Sequence, residues 1–298
     1  MSAPLVFDRA LLRVRRRRAV AAGAETFLLD RAAEELAERL AVVLRRFDLA
    51  VDLGTPGDAL TRSLAGSPKI GTLVAAEPEP HLRAGGAGLA VAADAEALPF
   101  ADGSLDLVVS ALALQTVNDL PGTLVQVRRA LKPDGLFLAV LFGGATLTEL
   151  RQSFAEAETE RDGGISPRVA PFADVRDMGS LLQRAGFALP VTDVDRFTVR
   201  YASPFALMAD LRRMGAANPL VERRRVPLRR ATLMRMTEIY AAQFSDPDGR
   251  VRATFEFVWV SGWAPHESQP QPLKPGSAKT RLADALGTVE GKLPGGEK

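Results

Sequence analysis

The chain has 298 residues, 47% of them hydrophobic, and a formal charge of +2, enough for one large α/β domain with additions and too mild a charge to imply nucleic acid. It has no cysteine and only two histidines, His81 and His266, which excludes disulfides, thiolate metal sites and a cysteine nucleophile; a transition-metal centre would need those two histidines to meet. No apolar run approaches the roughly 20 residues of a membrane span, and the arginines of Arg13 to Arg18 follow the apolar pair Leu11-Leu12 instead of preceding an apolar core, so a soluble, intracellular protein without a secretory signal is expected.

In chain order, residues 1–25 read as a basic amphipathic lead-in, whose arginines are either a solvated face or a docking surface for an acidic partner or anionic lipid. From Thr26 to Phe47 the positions Phe27, Leu28, Ala32, Leu36, Leu40, Val43 and Leu44 recur at helical spacing, which predicts a helix packed on a sheet. The stretch Arg46 to Gly66 then reads as strand, tight turn and helix, the first unit of a doubly wound α/β domain.

That turn resembles the glycine-rich loop of class I S-adenosylmethionine (SAM) proteins. Asp52 and Gly54 match the pattern, Pro56 and Asp58 stand where it has glycine, and Gly57 is one place off. Proline offers no N–H, and Asp58 either opposes the carboxylate of SAM or simply caps the following helix. Weak SAM binding is the expectation. Ile70 to Ala76 is a second strand ending at Glu77, an acidic residue suited to accept hydrogen bonds from ribose hydroxyls.

Gly88 to Ala92 is a third strand, followed by Asp94-Ala95-Glu96-Ala97-Leu98-Pro99-Phe100. This run resembles SAM proteins of the type-11 methyltransferase group. The resemblance implies that Asp94 meets the adenine amino group while the turn at Leu98 lies beside the ring; the bland alternative is a loop aspartate capping a turn. Ser104 to Ser110 is a fourth strand, a helix starts near Asn118-Asp119-Leu120-Pro121, Lys132-Pro133-Asp134-Gly135 turns the chain, and Leu136 to Leu141 is a fifth strand. Strands rich in Leu and Val on both faces, alternating with helices, specify a covered parallel sheet.

Leu147 to Arg161 is predicted as an amphipathic helix with Glu149, Arg151, Glu156, Glu158, Glu160 and Arg161 as its polar set. The loop Asp162 to Pro167 follows, either a lid over the cleft or an ordinary turn. Helices are predicted near Phe205 to Met214 and Leu228 to Phe244, with arginines at 212, 213, 223, 224, 225, 229, 230 and 235 that suit an acidic protein surface. Thr254 to Val260 alternates as a strand, placed at the sheet edge. The organisation expected is a lead-in over 1–25, a SAM-methyltransferase-like Rossmann core over 26–145, a substrate-facing cap with the remaining core elements over 146–263, and a Pro/Gly-rich, partly disordered tail over 264–298.

The run Phe142 to Phe187, together with Phe7-Asp8-Arg9, Val117 to Pro121, Leu207-Met208, Met214-Gly215, Gly262-Trp263 and His266 to Gln269, resembles the complex I assembly factor five family and its bacterial relatives over nearly the whole chain. The resemblance implies a class I methyltransferase fold with a mostly parallel seven-stranded sheet and a helical cap. It also implies an arginine-hydroxylating or methyl-transferring activity and a protein target, the iron–sulfur subunit at the quinone end of respiratory complex I. The location implied is cytoplasmic in a bacterium, or the matrix side of the inner membrane in a mitochondrion.

Two departures stand out: the altered glycine loop, and Gln115-Thr116 where the family commonly has a His-Trp pair. The cofactor-binding set expected is Asp52, Gly54, Gly57, Glu77, Asp94 and Leu98, with SAM as cofactor, no metal and no assigned catalytic residue. Two alternatives stay open. One is a non-catalytic assembly factor with a decayed SAM pocket; the other is a carboxyl methyltransferase of the biotin-synthesis type.

Overall fold

Runs of Leu and Val that are apolar on both faces become the central strands. The computed structural model describes residues 5–83, 88–270, 284, 287 and 288. Its elements are α1 (Arg9–Ala21), α2 (Phe27–Ala41), β1 (Phe47–Leu53), α3 (Ala59–Leu64), β2 (Ile70–Glu77), β3 (Leu89–Ala92), β4 (Leu105–Ala111), α4 (Leu120–Ala130), β5 (Leu131–Phe142), α5 (Thr148–Asp162), α6 (Val175–Arg184), β6 (Ala188–Tyr201), α7 (Pro204–Arg213), α8 (Arg230–Phe244) and β7 (Val251–Trp263). They build a seven-stranded sheet of order β3-β2-β1-β4-β5-β7-β6. β1 to β5 run parallel, while β7 is antiparallel to both β5 and β6.

The mostly parallel, doubly wound sheet is the one expected, with one correction at its far side. Thr254 to Val260 lies inside the sheet, between β5 and β6, because Phe255, Phe257 and Trp259 point into the core from an almost fully buried strand. The edge belongs to β6, which was not anticipated. Its solvent-facing residues include Asp193 and Arg196, charges that discourage further strand pairing.

Two apolar layers cover the sheet. On one face Leu28, Ala32, Leu36 and Leu40 of α2 pack with residues of α3, α5, α7 and α8; on the other, Leu124 and Val127 of α4 pack with Met178 and Leu182 of α6. At about 25 cal/mol per Å² of apolar surface, such two-sided burial is the main force holding the parallel strands together. Local signals set the boundaries: Asp119 caps α4 through Gly122 N–H at 2.8 Å, and Gly163 ends α5.

The helix α5 runs one residue later at each end than the expected Leu147 to Arg161, and two of its expected polar-face residues point inward. Glu149 accepts from Thr254 N–H at 2.9 Å, and fully buried Glu158 accepts from Ser166 N–H at 2.7 Å and pairs with Arg168 at 2.8 Å. They tie the cap to β7 and to the loop after α5, bonds that a solvated face would not make.

This unit ends at Pro265, and a second begins at His266. Of the expected Pro/Gly-rich tail, residues 271–298 lie outside the described residues, apart from 284, 287 and 288. Among the described residues no helix is long and apolar enough to cross a membrane.

Candidate functional site

Parallel strands deliver their carboxyl ends to one edge of a doubly wound sheet, and the residues that follow each strand converge there. β1 ends at Leu53 and turns through Gly54 to Gly57. Gly54 sits at φ 73° and Gly57 at φ 70°, a left-handed conformation that side-chain-bearing residues resist, and a Cβ at Gly54 would meet the Ala113 side chain at 3.4 Å. Thr55 and Ser110 fasten this turn to β4: Ala111 N–H donates to Thr55 Oγ1 at 2.9 Å, and Ser110 Oγ donates to the Leu53 carbonyl at 2.7 Å. The glycine that looks misplaced in sequence therefore stands where the backbone needs one.

Asp52 is buried at 1% exposure, with Thr55 as the donor beside it and no hydrogen bond of normal geometry to either carboxylate oxygen among the described residues. Burial pushes its carboxyl up to about 7, against the pull of nearby Thr55 and Arg83. A buried carboxylate short of donors is costly unless a cation or a strong donor completes it.

Glu77 ends β2 as expected but is not free. Arg83 lies 3.2 Å away, both side chains are nearly buried, and Arg83 also reaches Thr61 Oγ1. Burial raises the Glu77 carboxyl above its usual range, with Arg83 opposing. Asp94 follows β3 and is engaged by Arg9 of α1 at 2.6 Å, while the same guanidinium meets Glu96 at 2.9 Å. Burial works against its charge, yet the Arg9 bond and the Glu96 N–H together hold Asp94 below the usual carboxylate range. Leu98 is half-buried, and its N–H is spent on Gln126 at 3.0 Å.

The lead-in thus forms part of the site. Val6 and Phe7 N–H both donate to Asn118 Oδ1 at 2.8 Å, Asp8 N–H donates to the Pro219 carbonyl at 2.7 Å, and Arg223 pairs with Asp8 at 3.1 Å. Arg17 binds Glu79, and Arg15 donates to the Ala217 carbonyl at 2.8 Å. These bonds lay α1 across the strand tips. Such contacts, more than 60 residues apart in sequence, left no local signal; the acidic residues at the ends of β2 and β3 were the available clue.

Beside Gly57 opens a chamber of about 380 Å³, walled by Leu28, Phe142, Leu150, Phe172, Met208 and Met214. Gln115 and Thr116 reach its wall. Gln115 Nε2 donates to the Leu112 carbonyl at 2.8 Å, which fixes the amide orientation and leaves Oε1 buried with no donor. Arg16 and Glu25 also line the chamber, and Glu25 is paired to Arg213 at 2.9 Å. Among the described residues no group of three or more metal-ligating side chains gathers.

The expected arginine surface is largely consumed within the chain. Besides Arg213 and Arg223, Arg224 meets Asp162 at 2.8 Å and Arg235 meets Glu160 at 2.6 Å. Asp162 is thereby anchored at the start of the loop expected as a lid or a turn, with Arg229 at 3.5 Å and Thr232 at 3.1 Å also on it. Asp58 stands at the N-cap of α3, but its side chain makes no capping bond and pairs with Arg62.

Comparison with known proteins agrees with this architecture. Residues 51–139 match the methyltransferase domain family. The chain is 38% identical to the arginine-hydroxylase NDUFAF5, mitochondrial, of Homo sapiens over 98% of its own length and 86% of that protein. It is 42% identical to a malonyl acyl-carrier-protein O-methyltransferase of Halorhodospira halophila over 58% of this chain and 57% of that one. The solved YcgJ protein of Bacillus subtilis superposes with a TM-score of 0.52 at 14% identity, over 78% of this chain and 98% of that chain, a likeness of fold.

Proposed function

The chain belongs to the family of the arginine-hydroxylase NDUFAF5, and from that premise we propose that it is a SAM-binding enzyme of the class I methyltransferase fold that modifies an arginine side chain of a protein partner during respiratory complex I assembly. The observation that carries this reading is the buried carboxylate at the end of β1, followed by a glycine turn of which Gly57, alone of the expected cofactor set, lines the apolar chamber. Asp52 is that carboxylate, with no hydrogen bond of normal geometry to its oxygens among the described residues, and the glycines of the turn open the backbone to a ligand. The chamber that Gly57 lines has apolar walls, with Gln115 in its wall and Gln115 Oε1 buried without a donor.

On this reading SAM is the group these residues would hold, with Arg83 and Arg9 giving way at Glu77 and Asp94. Asp52 would receive its ammonium group, the backbone at Gly54 and Gly57 its amino-acid part, Glu77 its ribose and Asp94 its adenine. When bound, the cofactor supplies an activated methyl group; a hydroxyl increment on the target would in addition require dioxygen and a two-electron reductant from outside the chain, which SAM does not supply. The protein's own task is to align and desolvate the target. An arginine side chain would lay its aliphatic stem along the Leu and Met wall and bring a guanidinium N–H to Gln115 Oε1.

The test is calorimetric titration with SAM and S-adenosylhomocysteine, followed by mass analysis of the iron–sulfur subunit at the quinone end of complex I in a deletion strain. Loss of a methyl or hydroxyl increment on one arginine, restored by the wild-type gene, is the expected result. An unchanged subunit with normally assembled complex I would overturn the proposal.

A second reading rests on a specific observation: Glu77 and Asp94, the two acids assigned above to the nucleoside, already hold Arg83 and Arg9. On that reading the chain is an assembly factor that keeps the fold without the cofactor. Lost complex I assembly without any SAM affinity would select it.

A further inference from the structure

We infer that Arg16 is the anchor for the amino-acid carboxylate of the cofactor, an arginine on α1 that replaces the two loop glycines this chain has exchanged for Pro56 and Asp58. The inference rests on the reading that the chain binds SAM.

The argument begins with what Arg16 lacks. It lines the chamber together with Pro56 and Gly57, it is half-buried, and no hydrogen bond or ion pair reaches its guanidinium among the described residues. Of the other arginines on the helix, Arg9 is held by Asp94 and Glu96, Arg15 by the Ala217 carbonyl and Arg17 by Glu79, while Arg13 and Arg18 do not line the chamber. Of the other arginines on the chamber wall, Arg168 is paired with Glu158 and Arg212 is exposed. Burial lowers the proton affinity of Arg16, and the fields of Glu77 and Glu79 act in the opposite direction without making contact. A guanidinium against apolar walls needs an anion with acceptor oxygens in the plane of its donors, which a carboxylate supplies.

Asp52 poses the complementary problem from the opposite sign, a buried carboxylate with no hydrogen bond of normal geometry among the described residues. A free α-amino acid group carries one ammonium and one carboxylate on the same carbon. It carries a group of the sign each of these side chains lacks.

The loop alone cannot hold the carboxylate well. Pro56 has no N–H, and Asp58 brings a negative charge, though Arg62 is bonded to it. A cation from another element compensates for both. Its place is fixed by packing: a Cβ added at Gly215 would meet the Arg16 Cα and Cγ at 3.3 Å, so the stem of Arg16 lies directly on that glycine.

The same chemistry could come from an anionic group on the substrate, and the experiment separates the two sources. Full-length wild type, Arg16→Met and Arg16→Lys are titrated calorimetrically with S-adenosylhomocysteine and with 5′-methylthioadenosine, which lacks the amino-acid end. Arg16→Met keeps the apolar stem, and its thermal midpoint is measured alongside. The expected result is a ten- to hundredfold loss of S-adenosylhomocysteine affinity, as for a lost charged hydrogen bond. Methylthioadenosine affinity should stay within about twofold, and Arg16→Lys should recover part of the loss.

Equal losses for both nucleosides would assign Arg16 a packing role and overturn the inference, as would no loss for either, which would give the arginine to the substrate. Wild type that binds methylthioadenosine as tightly as S-adenosylhomocysteine would overturn this inference while leaving the cofactor reading standing. Wild type that binds neither would overturn both.

Discussion

Arg9 and Asp94, 85 residues apart in sequence, meet at 2.6 Å, so the first helix is clasped to the loop that follows β3. The side chains are 20% and 38% exposed, and the same arginine holds Glu96. A partly exposed pair of this kind contributes about 0.2–1 kcal/mol. Arg9→Met should therefore lower the thermal midpoint only slightly, yet speed hydrogen exchange along α1 by loosening its attachment. A double-mutant cycle with Asp94→Asn should give a coupling energy in that range; zero coupling with α1 still protected would show that Asn118 and Pro219 hold the segment without the ion pair.

Asp52 makes stability depend on pH in a direction opposite to that of most carboxylates. Its folded-state carboxyl is raised to about 7 from 3.8, so between those values the native state holds a proton that the unfolded chain has lost. Stability from this group is full below about pH 4 and declines as pH rises to about 7, by an amount on the order of a few kcal/mol. Asp52→Asn should flatten that decline and raise the thermal midpoint at pH 8 while leaving it unchanged at pH 3.5. The same substitution should weaken S-adenosylhomocysteine binding above pH 7, where the wild-type carboxylate is charged. A variant with the wild-type pH slope would move the titration to another group.

The Glu77–Arg83 pair is buried on both sides, and removing one member leaves the other charged and alone. Arg83→Met should destabilise the fold by about 3 kcal/mol, and Glu77→Gln/Arg83→Met by less than Arg83→Met alone, because no bare charge remains. Chemical denaturation of the three proteins measures this. If the double variant is the least stable, the pair is a net source of stability instead of a mutual requirement.

Asp58 and Arg62 set the local charge at the glycine turn. With Arg62 bonded to it, Asp58 is partly neutralised, so Asp58→Asn should alter cofactor affinity by less than about threefold. Arg62→Ala, which on the SAM reading leaves Asp58 bare beside the cofactor's carboxylate, should weaken it more. The ratio of the two effects at low and high salt is the readout, since a bare surface charge acts over about 8–10 Å before screening. A larger effect from Asp58→Asn would restore the view that the aspartate itself opposes binding.

Much of the fold was legible because its signals are local. The apolar runs of β1, β2, β4 and β5, Asp119 at the start of α4 and Gly163 at the end of α5 are each decided by a residue and its close neighbours, whereas the Lys132 to Gly135 stretch, expected as a turn, is the first part of β5. The positions of Asp52, Gly54, Glu77 and Asp94 at strand ends follow from the same order, since a parallel strand must deliver its last residue to the same edge of the sheet as its neighbours. What the sequence could not show is which charges would meet. Whether Glu158 is solvated or buried on Arg168, whether Arg223 faces a partner or Asp8, and whether β7 lies inside or outside β6 depend on contacts between segments far apart in the chain. Only the tertiary structure decided these. A charged side chain carries no mark of its partner, and the balance between desolvation and pairing is set by the distance and burial that the packed chain imposes.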